Sequence, residues 1–133
     1  MSLNSCSVLT GATITPSGGS AVSFEGTGPS NNSHTLICTD DTSLLTRRTI
    51  TAGIKAPKVS SSAPGGYTQA RGSVVLKFPK TLDNGNTTVD TVRIEVSYDP
   101  ENTESEVDNY CDMSSQVLSS SAFRELFTKL NLS

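Results

Sequence analysis

The residues able to do chemistry are few and badly placed for catalysis. His34 is the only histidine, and it stands beside a polar loop with no nucleophile or metal-ligand spacing around it. The adjacent carboxylates Asp40 and Asp41 read as a turn device rather than an acid/base pair or a metal site. The glycines form neither a GxxxxGKS/T nor a GxGxxG pattern, so no phosphate-cradling loop is expected. Cys6, Cys38 and Cys111 lie far apart, without CxxC or Cys/His clustering. An odd count argues against a disulfide scaffold and predicts free, buried thiols in a reducing compartment. These residues point to no enzyme, no cofactor and no metal.

Charge patterning says more. In Thr91-Val92-Arg93-Ile94-Glu95-Val96-Ser97-Tyr98 the apolar residues alternate strictly, which predicts a half-buried strand. The same parity holds in 47–55, with Ile50, Ala52 and Ile54 inward, and in 71–78, with Val74, Leu76 and Phe78 inward. The opposite positions are Arg47, Thr49, Thr51, Gly53 and Lys55, then Arg71, Ser73, Val75 and Lys77, then Thr91, Arg93, Glu95 and Ser97. That face carries five basic side chains against one acidic, on a chain whose net charge is −3. A sheet surface rich in hydroxyls, Arg and Lys suits contacts to phosphates and bases. The acids gather elsewhere: Asp99, Glu101, Glu104, Glu106, Asp108 and Asp112 cluster at the start of the first expected helix.

At 133 residues the chain fits one domain, 1–133, divided into a hairpin and loop (1–30), an antiparallel sheet (34–98) and two helices (101–131). With 34% hydrophobic residues and no Trp the core is lean, which favours burial shared with another copy. Residues 6–15 and 20–26 flank Pro16-Ser17-Gly18-Gly19 and predict an N-terminal hairpin. Gly26 to Asn32 reads as a loop, followed by a short strand at Thr35–Cys38 that Asp40-Asp41 stops. Pro57 ends the next strand, and 60–66 is a turn. The stretch Thr81, Leu82, Asp83, Asn84, Gly85, Asn86 and Thr87 is a loop longer than a hairpin needs, reversing at Asn84-Gly85. Met1–Ser5 has neither a basic nor an apolar region of a signal peptide, and no apolar stretch approaches the roughly 18 residues of a membrane span.

Asp99-Pro100 ends the sheet, and Thr103 with Glu106 has capping-box spacing. A helix is therefore predicted from there to about Ser119, with Ser120 or Ser121 capping a second. Val107, Tyr110, Cys111, Val117 and Leu118 recur at helical spacing, as do Phe123, Leu126, Phe127 and Leu130. Covering their own sheet, these helices would make a two-layer α+β monomer. Reaching over a neighbour's sheet, they would let two sheets join edge to edge and leave one long open face.

This order of elements resembles the coat proteins of small single-stranded RNA bacteriophages (levivirus-type). The likeness spans the chain and is most local in 48–55, 74–80 and 92–98. It implies an α+β fold with an N-terminal β-hairpin, a five-stranded antiparallel sheet and two C-terminal helices interlocking in a dimer. It further implies that such homodimers tile a T=3 icosahedral shell in the bacterial cytoplasm, with sheets facing single-stranded genomic RNA and no membrane partner. In that family a dimer also binds an RNA hairpin and represses replicase translation. Carried over by position, the inward face comprises Thr49, Thr51, Gly53, Lys55, Arg71, Ser73, Val75, Lys77, Arg93 and Glu95, and the nine residues expected to touch RNA are Arg47, Thr49, Thr51, Lys55, Arg71, Ser73, Lys77, Arg93 and Glu95. The dimer interface falls on the nine apolar helix positions named above, and residues 81–87 line the symmetry axes. Two departures stand out: no Tyr occupies an inward position of the last strand, and Gly53 replaces a larger polar group. A secreted or surface β-rich binding module, or a monomeric α+β RNA-binding domain, are the alternatives that the Ser/Thr/Asn-rich composition and basic face leave open.

Overall fold

The computed structural model describes residues 6–131, so the expectations for Met1–Ser5 and the ends of the 1–133 span lie outside the described residues. It contains β1 (Phe24–Ser30), β2 (Ser33–Cys38), β3 (Thr49–Lys55), β4 (Ala70–Thr81), β5 (Thr87–Tyr98), α1 (Glu104–Ser119) and α2 (Ser121–Lys129). Two compact units result: Gly19–Glu101, and the helices from Asn102 onward with the segment that ends at Gly18.

The first unit is one antiparallel meander in the order β1-β2-β3-β4-β5. The alternation in the last three strands sets their register, because slipping one residue would turn every apolar side chain to the wrong face. Ile50 thus lies opposite Leu76, which lies opposite Val92, and Ala52, Val74 and Ile94 form the next row. His34, Leu36 and Cys38 continue this apolar face across β2. Cys38 is the one buried residue among those described, so the thiol expectation holds for it and fails for Cys6 and Cys111, which are exposed.

The expected N-terminal hairpin is not formed. Among the described residues no strand precedes Phe24, and Gly18 and Gly19 take consecutive left-handed conformations (φ 84 and 67) without pairing their flanks. The first hairpin lies further along, where β1 meets β2 across Asn31-Asn32 and Asn31 itself is left-handed at φ 50. What reads as the loop 26–32 is therefore largely strand. Its register shifts between Gly26 and Pro29, a bulge on the edge strand, where a proline's missing N–H goes unused. A Cβ at Gly26 would fall on the His34 imidazole of β2, so any larger residue there would have to displace that ring.

The β4–β5 hairpin is also longer than expected. Thr81 pairs with Thr87, which leaves only Leu82–Asn86 as loop. Gly85, at φ 86, donates its N–H to Leu82 O at 2.9 Å, and Leu82 donates to Asn86 O at 2.7 Å. Pro79 is tolerated inside β4 because β3 pairs only with Arg71–Lys77, so the strand's β3 side is open at that point. The β3–β4 connection closes on itself: Val59 bridges Tyr67, and Ser60 N–H donates to Gly66 O at 2.9 Å.

In the second unit, α1 starts as the spacing predicts. Thr103 Oγ1 accepts from Glu106 N–H at 3.2 Å, and Glu106 Oε1 accepts from Thr103 N–H at 3.3 Å. Ser120 ends α1 and caps α2, accepting from Phe123 N–H. The segment 6–18 joins this unit through Gln116, whose side-chain amide accepts from Leu9 N–H at 2.8 Å and donates to Leu9 O at 2.7 Å. A Gln amide thus replaces the strand partner that the sequence led one to expect for this segment. Neither helix contains a buried residue.

Candidate nucleic-acid interface

Residues directly opposite one another in an antiparallel sheet share a face, so the pairing alone assembles the surface opposite the apolar one. Four rows cross it. Lys55 pairs with Arg71 and then Ser97; Gly53 with Ser73 and Glu95; Thr51 with Val75 and Arg93; Thr49 with Lys77 and Thr91. Neighbouring strands are about 4.8 Å apart, so each three-strand row spans roughly 10 Å. Eight of the nine residues expected to touch nucleic acid are thereby brought together.

The ninth, Arg47, precedes β3 and sits at the margin. It is half-buried and lines a cleft of about 310 Å³ with Glu25, Gly26, Thr27, Ile37, Cys38 and Thr39. Its Nε is buried without a hydrogen-bond partner. β2 extends this face beyond the three strands whose parity the sequence displays. Ser33 lies beside Gly53 and Thr35 beside Thr51 on this same face, with the Thr35 and Thr51 hydroxyl oxygens 3.4 Å apart. The parity of Leu36 and Cys38 was the signal that would have found them.

Electrostatically the face is uneven. Arg71 Nε lies 2.7 Å from Glu95 Oε1 and donates to Ser97 Oγ at 3.3 Å. Both partners are about half exposed, so this pair contributes at most about 1 kcal/mol. Among the described residues, Lys55, Lys77 and Arg93 make no ion pair and are exposed. Gly53 leaves room for Ser73, whose Oγ would lie 3.2 Å from a Cβ at 53.

Asp41 and Arg48 hold the β2–β3 connection instead. Arg48 donates from Nε and from its backbone N–H to Asp41 Oδ2, at 2.9 and 2.8 Å, and from a terminal nitrogen to Oδ1 at 2.9 Å. These bonds hold the Asp41 carboxyl far below the usual range and push the guanidinium up. The turn role expected for Asp40-Asp41 is what the structure has, since Asp40 accepts from Ser23 N–H. His34 packs over Gly26 on the apolar side, with its Nε2 buried and unbonded. Among the described residues, no three His, Cys, Asp or Glu side chains group as metal ligands, and no helix is long and apolar enough to cross a membrane.

On the helices, Tyr110, Leu118, Phe127 and Cys111 are exposed, while Leu130, expected at a helical position, lies just past the end of α2 in a left-handed conformation (φ 51) and is 85% exposed. Val107, Val117, Phe123 and Leu126 are half-buried.

No protein-family model and no curated protein matches this chain. Among solved structures, the virus-like particle of bacteriophage GQ-907 aligns with a TM-score of 0.87 at 28% identity, over 99% of this chain and 100% of that one. The virus-like particle of Beihai levi-like virus 21 aligns with a TM-score of 0.63 over 90% of this chain and 94% of that one. At 12% identity that second likeness concerns the fold alone. A five-stranded antiparallel sheet followed by two C-terminal helices is the levivirus coat fold, and both matched chains are structural components of virus-like particles. Fold and end-to-end likeness together support the levivirus-type coat resemblance that the sequence implied.

Proposed function

We propose that this coat protein works as a homodimer that tiles a T=3 shell in the bacterial cytoplasm and holds single-stranded genomic RNA against its sheet. One observation carries the RNA reading: the register gathers Lys55, Arg71, Lys77 and Arg93 with Thr49, Thr51 and Ser73 on one face of a chain that is acidic overall. Cations there neutralise phosphates and release counterions, while hydroxyls reach bases and 2′-OH groups. With no inward Tyr on β5, hairpin recognition that represses replicase translation would rest on these polar contacts rather than on stacking.

Dimerisation is supported by what a single copy leaves uncovered. Ile54, Val89, Val92 and Ile94 on the sheet, Tyr110, Leu118 and Phe127 on the helices and Leu130 just past α2 are all exposed. Burying the nine apolar helix side chains under a partner would contribute on the order of 10–25 kcal/mol before entropy. In this reading Leu82–Asn86, with Thr81 and Thr87, lines the axes between dimers.

Expression of the full chain followed by electron microscopy and an absorbance ratio tests the whole proposal. Closed particles with a nucleic-acid absorbance are expected. Empty shells would remove the RNA role, and a persistent monomer in sedimentation would remove the dimer.

A further inference from the structure

The tip of the β4–β5 hairpin sets a side-chain amide, a backbone nitrogen and a hydrogen-bond donor beside one another. Asn84-Gly85 is the only Asn-Gly step in the sequence, and every residue from Thr81 to Thr87 is exposed. Asn86 N–H donates to Asn84 Oδ1 at 3.0 Å, and Gly85 is left-handed at φ 86. A Cβ built on Gly85 would meet nothing within 4 Å, so the glycine stands in open surroundings. We infer that Asn84 is a self-modification site: its side-chain amide is lost by cyclisation onto the Gly85 nitrogen, and the carboxylate that results loosens contacts between copies. The chemistry stands on this turn alone. Its effect on the shell rests on the proposed placing of the loop at the axes.

In this step the Gly85 nitrogen attacks Asn84 Cγ and gives up its proton, and the amide nitrogen leaves as ammonia. Water, the only co-reactant, then opens the cyclic imide at either carbonyl to give aspartate or isoaspartate. Because both groups belong to adjacent residues, ring closure carries none of the entropy cost of an encounter. Negative charge gathers on Oδ1 as the ring closes, and the Asn86 N–H already donates to that oxygen. The opposing feature is the 2.9 Å bond from Gly85 N–H to Leu82 O, which must open before the nitrogen can attack. Conversion is therefore slow and paced by local opening of an exposed loop. The other turn asparagines lack this combination. Asn32 precedes Ser33, whose N–H is held by Asn31 O at 2.9 Å, and Asn86 precedes the β-branched Thr87, which pairs with Thr81. Asn102 precedes Thr103, whose N–H donates to Glu106 Oε1. Each converted copy gains a carboxylate next to Asp83, on a chain whose net charge is already −3. Isoaspartate also lengthens the backbone inside a turn that the 2.7 Å bond from Leu82 N–H to Asn86 O closes tightly. Copies that meet at an axis would bring these like charges together and repel one another.

Incubation of the full-length chain in mildly basic buffer, followed by peptide mapping in a mass spectrometer, tests the site. The tryptic fragment from Thr81 to Arg93 should gain the mass of an amide turned acid, and isoaspartyl methyltransferase should label it. Conversion should quicken as pH rises, because the nitrogen attacks without its proton. Gly85→Ala should slow it about tenfold. Should that variant fold poorly, Asn84→Gln, whose longer side chain misplaces the carbonyl, should leave the fragment unchanged. A fragment that stays intact in the native chain while the same chain converts in urea overturns the site, since the turn then protects the nitrogen. Asn84→Asp supplies the charge at once. Its particles should melt below those of the unmodified chain, by a gap that narrows as salt is raised. Equal melting of the two particles overturns the loosening. A chain that forms no particles removes the loop's place at the axes, while conversion is still read from the fragment.

Discussion

Asp41 shows how much one side chain can settle. Its carboxylate takes three donors from Arg48, one of them the backbone N–H that precedes β3, so it fixes where that strand begins. Because its pKa is lowered by folding, its contribution is fully present above the unfolded value, about 3.9, and is lost only as pH falls towards the folded one. Asp41→Asn should therefore melt lower than the native chain at neutral pH. The gap should stay constant down to about pH 4 and close only in stronger acid, as thermal scans across a pH series would register. A gap that closed between pH 6 and 5 would mean that another group carries the effect.

Among the elements, those with strong periodicity were legible and those built on special residues were not. β3, β4 and β5 alternate cleanly, and the α1 cap is spelled out in Thr103 and Glu106. Removing that hydroxyl with Thr103→Ala should cost about 1 kcal/mol, seen as a lower melting temperature with unchanged helix content at 10 °C. β1 was missed because Gly26, Gly28 and Pro29 have a loop's composition, and only its place at the sheet edge makes that composition harmless. The segment before it was misread for the opposite reason. Residues 6–15 carry enough β-branched side chains to suggest a strand, but their hydrogen-bonding partner is Gln116, about a hundred positions away, and no local pattern announces it.

On the scale of the whole molecule, the basic face was legible because strand pairing converts parity into position. Arg47 escaped that logic since it lies outside the ladder. Lys55→Ala and Lys77→Ala, at opposite ends of the face, should each weaken binding of a single-stranded oligonucleotide across all sequences. Each should also lower the slope of log affinity against log salt by about 0.7, measurable by fluorescence titration. What joins one copy to the next was not legible as a motif, because exposed Leu, Phe and Val look alike whichever neighbour covers them.

The self-closed turn between β3 and β4 has a practical consequence. Val59 and Tyr67 already tie its stem, and Ser60 to Gly66 form a short cap outside the ladder. A foreign peptide spliced between Ser62 and Ala63 would leave with its two ends held together, and lengthening such a cap carries a closure penalty that grows only logarithmically. If the shell forms as proposed, every copy would then carry the same graft at the same attachment point, making the particle a candidate scaffold for repetitive antigen display.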